Sequence, residues 1–190
     1  MLERRKAIAT LMANRGEDMF VVPGLGSTTY DMASLGEKDQ DFYLWGAMGG
    51  AAMIGLGLAL AQPKLKVVVV TGDGEMLMGM GALATIGVQR PNNLAVIVFD
   101  NQHYGETGMQ PSHTDKGVDL VGVARACGIA RTFEVHEEAG LKKLAGELAS
   151  LKETVFARVR IAADEPQRVL PSKDGVELKL RFRKAVAAAG

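Results

Sequence analysis

Cysteine is nearly absent from this chain. The single one, Cys127, rules out an internal disulfide and any cysteine-rich zinc or iron–sulfur centre. It sits in an apolar helical pattern, which suits a small buried side chain better than a nucleophile. Net charge is absent as well. Lys+Arg and Asp+Glu are both 22, so no surface for nucleic acid or an anionic membrane is expected. Met1 to Arg15 reads as a charged amphipathic helix without a signal-peptide core, which makes the cytoplasm the default location. There is no internal repeat and no low-complexity linker. The 190 residues suffice for one domain with a real core, residues 1–190, with a tail helix in 164–190.

Charge is also missing locally, from Phe42 to Pro63. By length alone such a stretch flags a membrane helix. Its composition argues otherwise: Gly46, Gly49, Gly50, Gly55 and Gly57 crowd it, and Gln62-Pro63 closes it. Small residues let a helix press against a sheet, so a buried core helix following a loop is the better reading.

What is present is concentrated between Val67 and Gln110. Val67 to Thr71 and Leu94 to Phe99 are short apolar runs, the first β-branched, as strands covered on both faces require. Between them lie Gly72-Asp73-Gly74-Glu75 and a helix expected from about Met76 to Gln89. Two such strands joined through a helix form a βαβ crossover. That sets Asp73 and Asn101 side by side at the carboxyl ends of neighbouring parallel strands, where open α/β sheets bind ligands. The fold class is therefore α/β: doubly wound, mainly parallel, with helices on both faces.

Residue types at that edge suggest its chemistry. Gly72 and Gly74 let the backbone turn and approach a ligand, and the N–H groups opening the next helix attract an anion. Asp73 places a carboxylate beside them, which makes sense if a cation bridges it to a phosphate. Mg²⁺ does this with one or two protein oxygens, and Asn101 supplies an amide oxygen from the next strand. A dinucleotide-binding fold is disfavoured, because Asp73 interrupts the glycines where a pyrophosphate needs bare backbone.

Gly-Asp-Gly followed by an Asn after a hydrophobic strand, 28 residues beyond the Asp (101 − 73), resembles the thiamine diphosphate enzymes. The resemblance covers roughly Phe20 to Arg160 and is strongest between Gly72 and Pro111. It implies thiamine diphosphate and Mg²⁺ as cofactors, with Asp73 and Asn101 ligating the metal by side chain and His103 by its backbone oxygen. Gly74 and Glu75 would offer backbone N–H groups to the diphosphate, and Gly72, Tyr104 and Gly105 would also contact the cofactor. Gly46-Ala47-Met48-Gly49 resembles the family's Gly-x-x-Gly segment, in which Met48 would wedge between the cofactor rings and fix their bent shape. His103, Tyr104, Glu106 and Thr107 are candidates for proton transfer or substrate grip.

The family also activates its cofactor with a Glu on a separate pyrimidine-binding domain, for which this chain has no room. The resemblance thus implies a diphosphate-binding half completed by a second, α-type subunit. Gly81-Ala82-Leu83-Ala84-Thr85-Ile86-Gly87, Asn93-Leu94 and Thr107-Gly108-Met109-Gln110-Pro111 resemble the family members that decarboxylate sulfopyruvate and phosphonopyruvate. A small anionic 2-oxo acid is the substrate this implies. A carboligase or a 2-oxo acid oxidoreductase component is a rival within the family. A non-catalytic module for a Mg²⁺–nucleotide is a rival outside it.

Elsewhere, Met19 to Val22 reads as a strand ending in a Gly-rich turn, where Ser27 or Thr28 caps a helix or reaches the diphosphate. Val118 to Cys127 and Glu137 to Leu151 read as helices, and Arg131 to Val135 as a strand. Thr154 to Ile161 alternates like a strand with a wet side near the sheet edge. His113 reads as a surface or lid residue. Arg181, Arg183 and Lys184 read as a basic surface or a partner contact.

Overall fold

A computed structural model describes residues 1–189. The chain runs α1 (Arg4–Met12), β1 (Met19–Pro23), α2 (Ser27–Ala33), α3 (Ala51–Ala61), β2 (Lys66–Gly72), α4 (Asp73–Met78), α5 (Ala82–Gln89) and β3 (Leu94–Asp100). It continues through two short strands, β4 (His103–Tyr104) and β5 (Gln110–Pro111), to α6 (Leu120–Ala126), β6 (Arg131–Val135), α7 (Glu138–Ala149), β7 (Val155–Arg160) and α8 (Gly175–Ala189). Five strands form one parallel sheet in the order β1-β2-β3-β7-β6.

Successive residues of a strand point to opposite faces, and both faces here are dry. Val68, Val70, Ala95 and Ile97 pack beneath α1, α2 and α7. Val67, Val69, Val96 and Val98 pack beneath α3, α5 and α6. That explains runs of Val with no polar alternation: each buried Val removes apolar surface worth ~1.5–3 kcal/mol from water. The glycines of α3 serve the same packing. A side chain at Gly55 would collide with Val69, so its bareness sets how closely α3 lies on the sheet. Among the described residues no helix is long and apolar enough to cross a membrane.

Three expectations need correction. The helix expected over Met76 to Gln89 begins at Asp73 and breaks after Met78, resuming at Ala82. The break falls where Gly79 presses on the backbone of Gly49, an approach that only glycine permits. The strand Thr154 to Ile161 is not at the edge, because β7 lies between β3 and β6. Its seemingly wet side chains, Arg158 and Arg160, turn onto the buried carboxylate of Asp100. Cys127 is only half-buried, at the end of α6.

The tail returns across the front of the domain. Phe182 stacks against Phe20 and Phe42, Leu178 is buried, and Trp45 Nε1 donates to the Ser172 carbonyl at 2.8 Å. Arg181, read from the sequence as basic surface, meets Glu37 of the same chain at 3.0 Å.

Candidate active site

The parallel register pairs Gly72 with Phe99, so Asp73 and Asn101 follow directly from the carboxyl ends of adjacent strands. Both line one cavity of about 270 Å³. Met48, His103, Tyr104 and Thr107 share its wall, as do Gly72, Gly74, Glu75, Gly105 and Glu106. Ser27 and Thr28 reach it from the first Gly-rich turn. Gly46 and Ala47 stand outside this wall, exposed at the tip of their loop, where both adopt positive φ.

Tyr104 explains why residue 74 is glycine. A Cβ there would lie 2.7 Å from the Tyr104 ring, so the ring rests on the bare backbone at the start of α4. The far side of that ring meets His113 edge-on, at 6.1 Å between centroids. Asn101 Oδ1 accepts from the His103 N–H at 2.9 Å, closing a tight turn after β3. His103 Nδ1 lies 2.8 Å from the Asn101 carbonyl, which can only accept, so Nδ1 carries the proton. Glu106 does not hang free: its carboxylate lies 3.6 Å from Arg168 of the tail, over Gly26.

Asp73 is 2% exposed, and its Oδ2 accepts from Ser112 Oγ and from Thr114 Oγ1 at 3.3 Å. Burial pushes its pKa from 3.8 up to about 6; the Ser112 hydrogen bond opposes this, and nearby Asp100 adds to it. Asp100 is neutralised from behind, by Arg158 Nε at 2.5 Å and Arg160 at 3.3 Å. Thr114 Oγ1 has one proton to share between Asp73 and Asp100, which it approaches at 2.9 Å, and so links the two carboxylates. Sequence reasoning overlooked Ser112, Thr114, Arg158 and Arg160. The signal for the first two was the alternation of short hydroxyl side chains around His113.

Does this site suit Mg²⁺ and a diphosphate? Arg4 is the sole arginine or lysine in the wall, and it is committed to Asp31 at 2.7 Å. A diphosphate here therefore meets backbone N–H groups, hydroxyls and whatever cation Asp73 holds. The donors are hard oxygens, a carboxylate and an amide, as Mg²⁺ prefers. A Cβ added at Gly72 or Gly105 would meet only ordinary van der Waals contact, with no atom closer than 3.8 Å. No cluster of three or more His, Cys, Asp or Glu suited to a metal occurs among the described residues. The donor set fits the ion and the diphosphate.

Residues 24–159 match the family described as "Thiamine pyrophosphate enzyme, C-terminal TPP binding domain". The sulfopyruvate decarboxylase subunit beta of Methanothermobacter thermautotrophicus is 36% identical over 189 residues, spanning 100% of this chain and 98% of that protein. Phosphonopyruvate decarboxylase of Streptomyces viridochromogenes is 42% identical over 147 residues, 77% of this chain and 36% of the relative. In fold, the chain is similar to benzoylformate decarboxylase from Polynucleobacter necessarius, with a TM-score of 0.71 and 22% identity over 86% of this chain and 34% of that one. The chain thus spans about a third of the larger enzymes it resembles and nearly all of the beta subunit. The family match over residues 24–159, with a relative aligned along the whole chain, places the chain in the thiamine pyrophosphate enzyme family, as its C-terminal TPP binding domain.

Proposed function

We propose that this chain is the diphosphate-binding subunit of a thiamine diphosphate- and Mg²⁺-dependent 2-oxo acid decarboxylase. Its substrate is a small anionic 2-oxo acid of the sulfopyruvate or phosphonopyruvate type, the class named for its relatives. The observation that carries this reading is Asp73: a buried carboxylate beside Asn101, opening on a cavity and lacking a basic partner among the described residues.

In this reading Asp73 and Asn101 hold Mg²⁺ by side chain and His103 by its backbone oxygen. The His103 ring is occupied with the Asn101 carbonyl, which orients the loop. Gly74 and Glu75 present N–H groups to the diphosphate, and Tyr104 shapes the floor beneath it. Met48 fills the apolar side of the cavity and supports the bent cofactor. Bound thiamine diphosphate supplies the nucleophilic carbon and the electron sink that decarboxylation of a 2-oxo acid requires. His103, Tyr104 and Thr107 face the space where that acid would lie. Glu106 lines the same cavity, with Arg168 3.6 Å from its carboxylate.

The activating glutamate comes from a pyrimidine-binding partner. Only Glu75 and Glu106 of this chain line the cavity, and both are engaged. The surface supports a partner too. Helix α3 contains no polar side chain, yet it leaves Met53 43% and Leu60 50% exposed, with Met78 63% exposed at the cavity rim. A helix that is apolar all round belongs in an interior.

The test is co-expression with a pyrimidine-binding chain, followed by carbon dioxide release from sulfo-, phosphono- and plain 2-oxo acids. Release that requires both chains, Mg²⁺ and thiamine diphosphate, and is fastest with a sulfonate or phosphonate substrate, is the expected result. Release by this chain alone, or none from any of the acids, contradicts the proposal.

A further inference from the structure

The Glu75 carboxylate has no part in the reading above, which uses only its backbone. It is 3% exposed. Its oxygens accept from Thr71 Oγ1 at 2.8 Å and from the Gly49 N–H at 3.3 Å. Backbone N–H groups at Gly49, Ala51 and Leu25 oppose the rise that burial gives its pKa. These donors belong to three separate segments. Thr71 ends β2, Leu25 lies in the turn after β1, and Gly49 and Ala51 flank the start of α3.

Helix α3 needs such a partner. Its N-cap is Gly50, which has no side chain to satisfy the first N–H groups. A carboxylate delivered from α4 accepts from Gly49 just before that cap, where the positive end of the helix favours it. Space has been cleared for it: a Cβ at Gly24 would overlap the Glu75 carboxylate. The segment so anchored is Gly46 to Gly50, which carries Met48 into the cavity wall. Backbone at Gly46, Ala47 and Gly49 has positive φ, and one turn hydrogen bond, Gly50 N–H to the Ala47 carbonyl at 2.9 Å, closes the loop on itself.

We infer that Glu75 is a positioning residue: its buried carboxylate fastens the β1 turn and the Met48 loop to the end of β2, fixing the apolar wall against which the cofactor rests. The inference builds on the proposed cofactor site, and it can fail separately from it. The backbone N–H groups facing the carboxylate can only donate, and Thr71 Oγ1 is the one partner that could also accept. Glutamine at 75 would turn an NH₂ toward one of them and lose that hold while preserving volume.

The experiment compares wild-type full-length chain with Glu75→Gln and Thr71→Val. The second variant removes one hydroxyl without touching the charge. Amide hydrogen exchange is read at Leu25, Gly49 and Ala51 without ligand, and thiamine diphosphate affinity is titrated calorimetrically in excess Mg²⁺. Glu75→Gln is expected to speed exchange at these amides about tenfold or more while β2 and β3 stay protected. It should weaken thiamine diphosphate by about tenfold, with Thr71→Val showing smaller shifts in the same direction. The emission of Trp45, the sole tryptophan, should shift with the loop next to it. Unchanged exchange in Glu75→Gln overturns the inference. Faster exchange with unchanged affinity overturns the link to the cofactor. If the wild-type chain binds no thiamine diphosphate, with or without a partner, the functional proposal and that link both fall, and the exchange data leave Glu75 only a structural cap.

Discussion

The buried aspartates of this molecule are of two kinds. On the α1–α2 face, Asp31 lies 2.7 Å from Arg4, and beside β1 Asp41 lies 2.6 Å from Arg15. At the carboxyl edge of the sheet Asp73 is equally buried but meets only hydroxyl groups. The first two are complete ion pairs that belong to the fold. In the function proposed above the third is half of one, and Mg²⁺ would be the other half. Burial depth alone would not separate them; the partners do.

The comparison breaks most visibly if neutralising mutations act alike. Asp31→Asn should destabilise the chain by ~3–5 kcal/mol, because it strands a buried guanidinium. Asp73→Asn should instead stabilise the ligand-free chain by ~1–3 kcal/mol at neutral pH, while weakening thiamine diphosphate binding in Mg²⁺ by more than about 100-fold. Urea unfolding and calorimetric titration read the two effects. Destabilisation by both substitutions would erase the distinction.

Acidity gives a second test. The folded-state pKa of Asp73, about 6, exceeds the ordinary value of 3.8, so between these limits the folded chain binds more protons than the unfolded one. The contribution of this group to stability is therefore greatest below pH 3.8 and is lost as pH rises through 6, by ~3 kcal/mol in the ligand-free chain. Asp73→Asn removes this part of the pH profile. Mg²⁺ and thiamine diphosphate reverse its sign, because they favour the ionised carboxylate. Melting temperatures across pH 4–8, with and without ligand, follow both effects.

Smaller changes sharpen the picture. Ser112→Ala removes a hydroxyl that orients the Asp73 carboxylate, and should weaken Mg²⁺-dependent cofactor binding by about tenfold with little loss of fold. Smaller still on stability are Met53→Ser and Leu60→Ser, expected within about 0.5 kcal/mol of wild type in the isolated chain. Their effect belongs to assembly, where co-purification with the pyrimidine-binding chain should fall.

Much of this was legible in the sequence. Val67–Val70 and Leu94–Phe99 are short, apolar and bounded by glycine or polar turns, and they form the central strands. Asp73 and Asn101 follow those strands immediately, so locating the strands located the site. What stayed hidden depends on contacts between distant segments. The break in the helix after Met78 exists because Gly79 meets Gly49. Arg158 and Arg160 read as solvated because alternation shows a polar face without showing Asp100 across the sheet. Ser112 and Thr114 lie 39 and 41 residues beyond Asp73, in a loop with no periodic pattern. Glu75 looked committed to the diphosphate turn, and nothing in its neighbours announced the carboxylate's hold on α3.

The most direct test is anomalous diffraction from crystals grown with Mn²⁺ in place of Mg²⁺ and thiamine diphosphate. A single strong peak should lie within coordination distance, about 2.2 Å, of an Asp73 carboxylate oxygen and of Asn101 Oδ1, with the diphosphate completing the shell. A peak elsewhere, or cofactor density with no metal touching Asp73, would contradict the assignment.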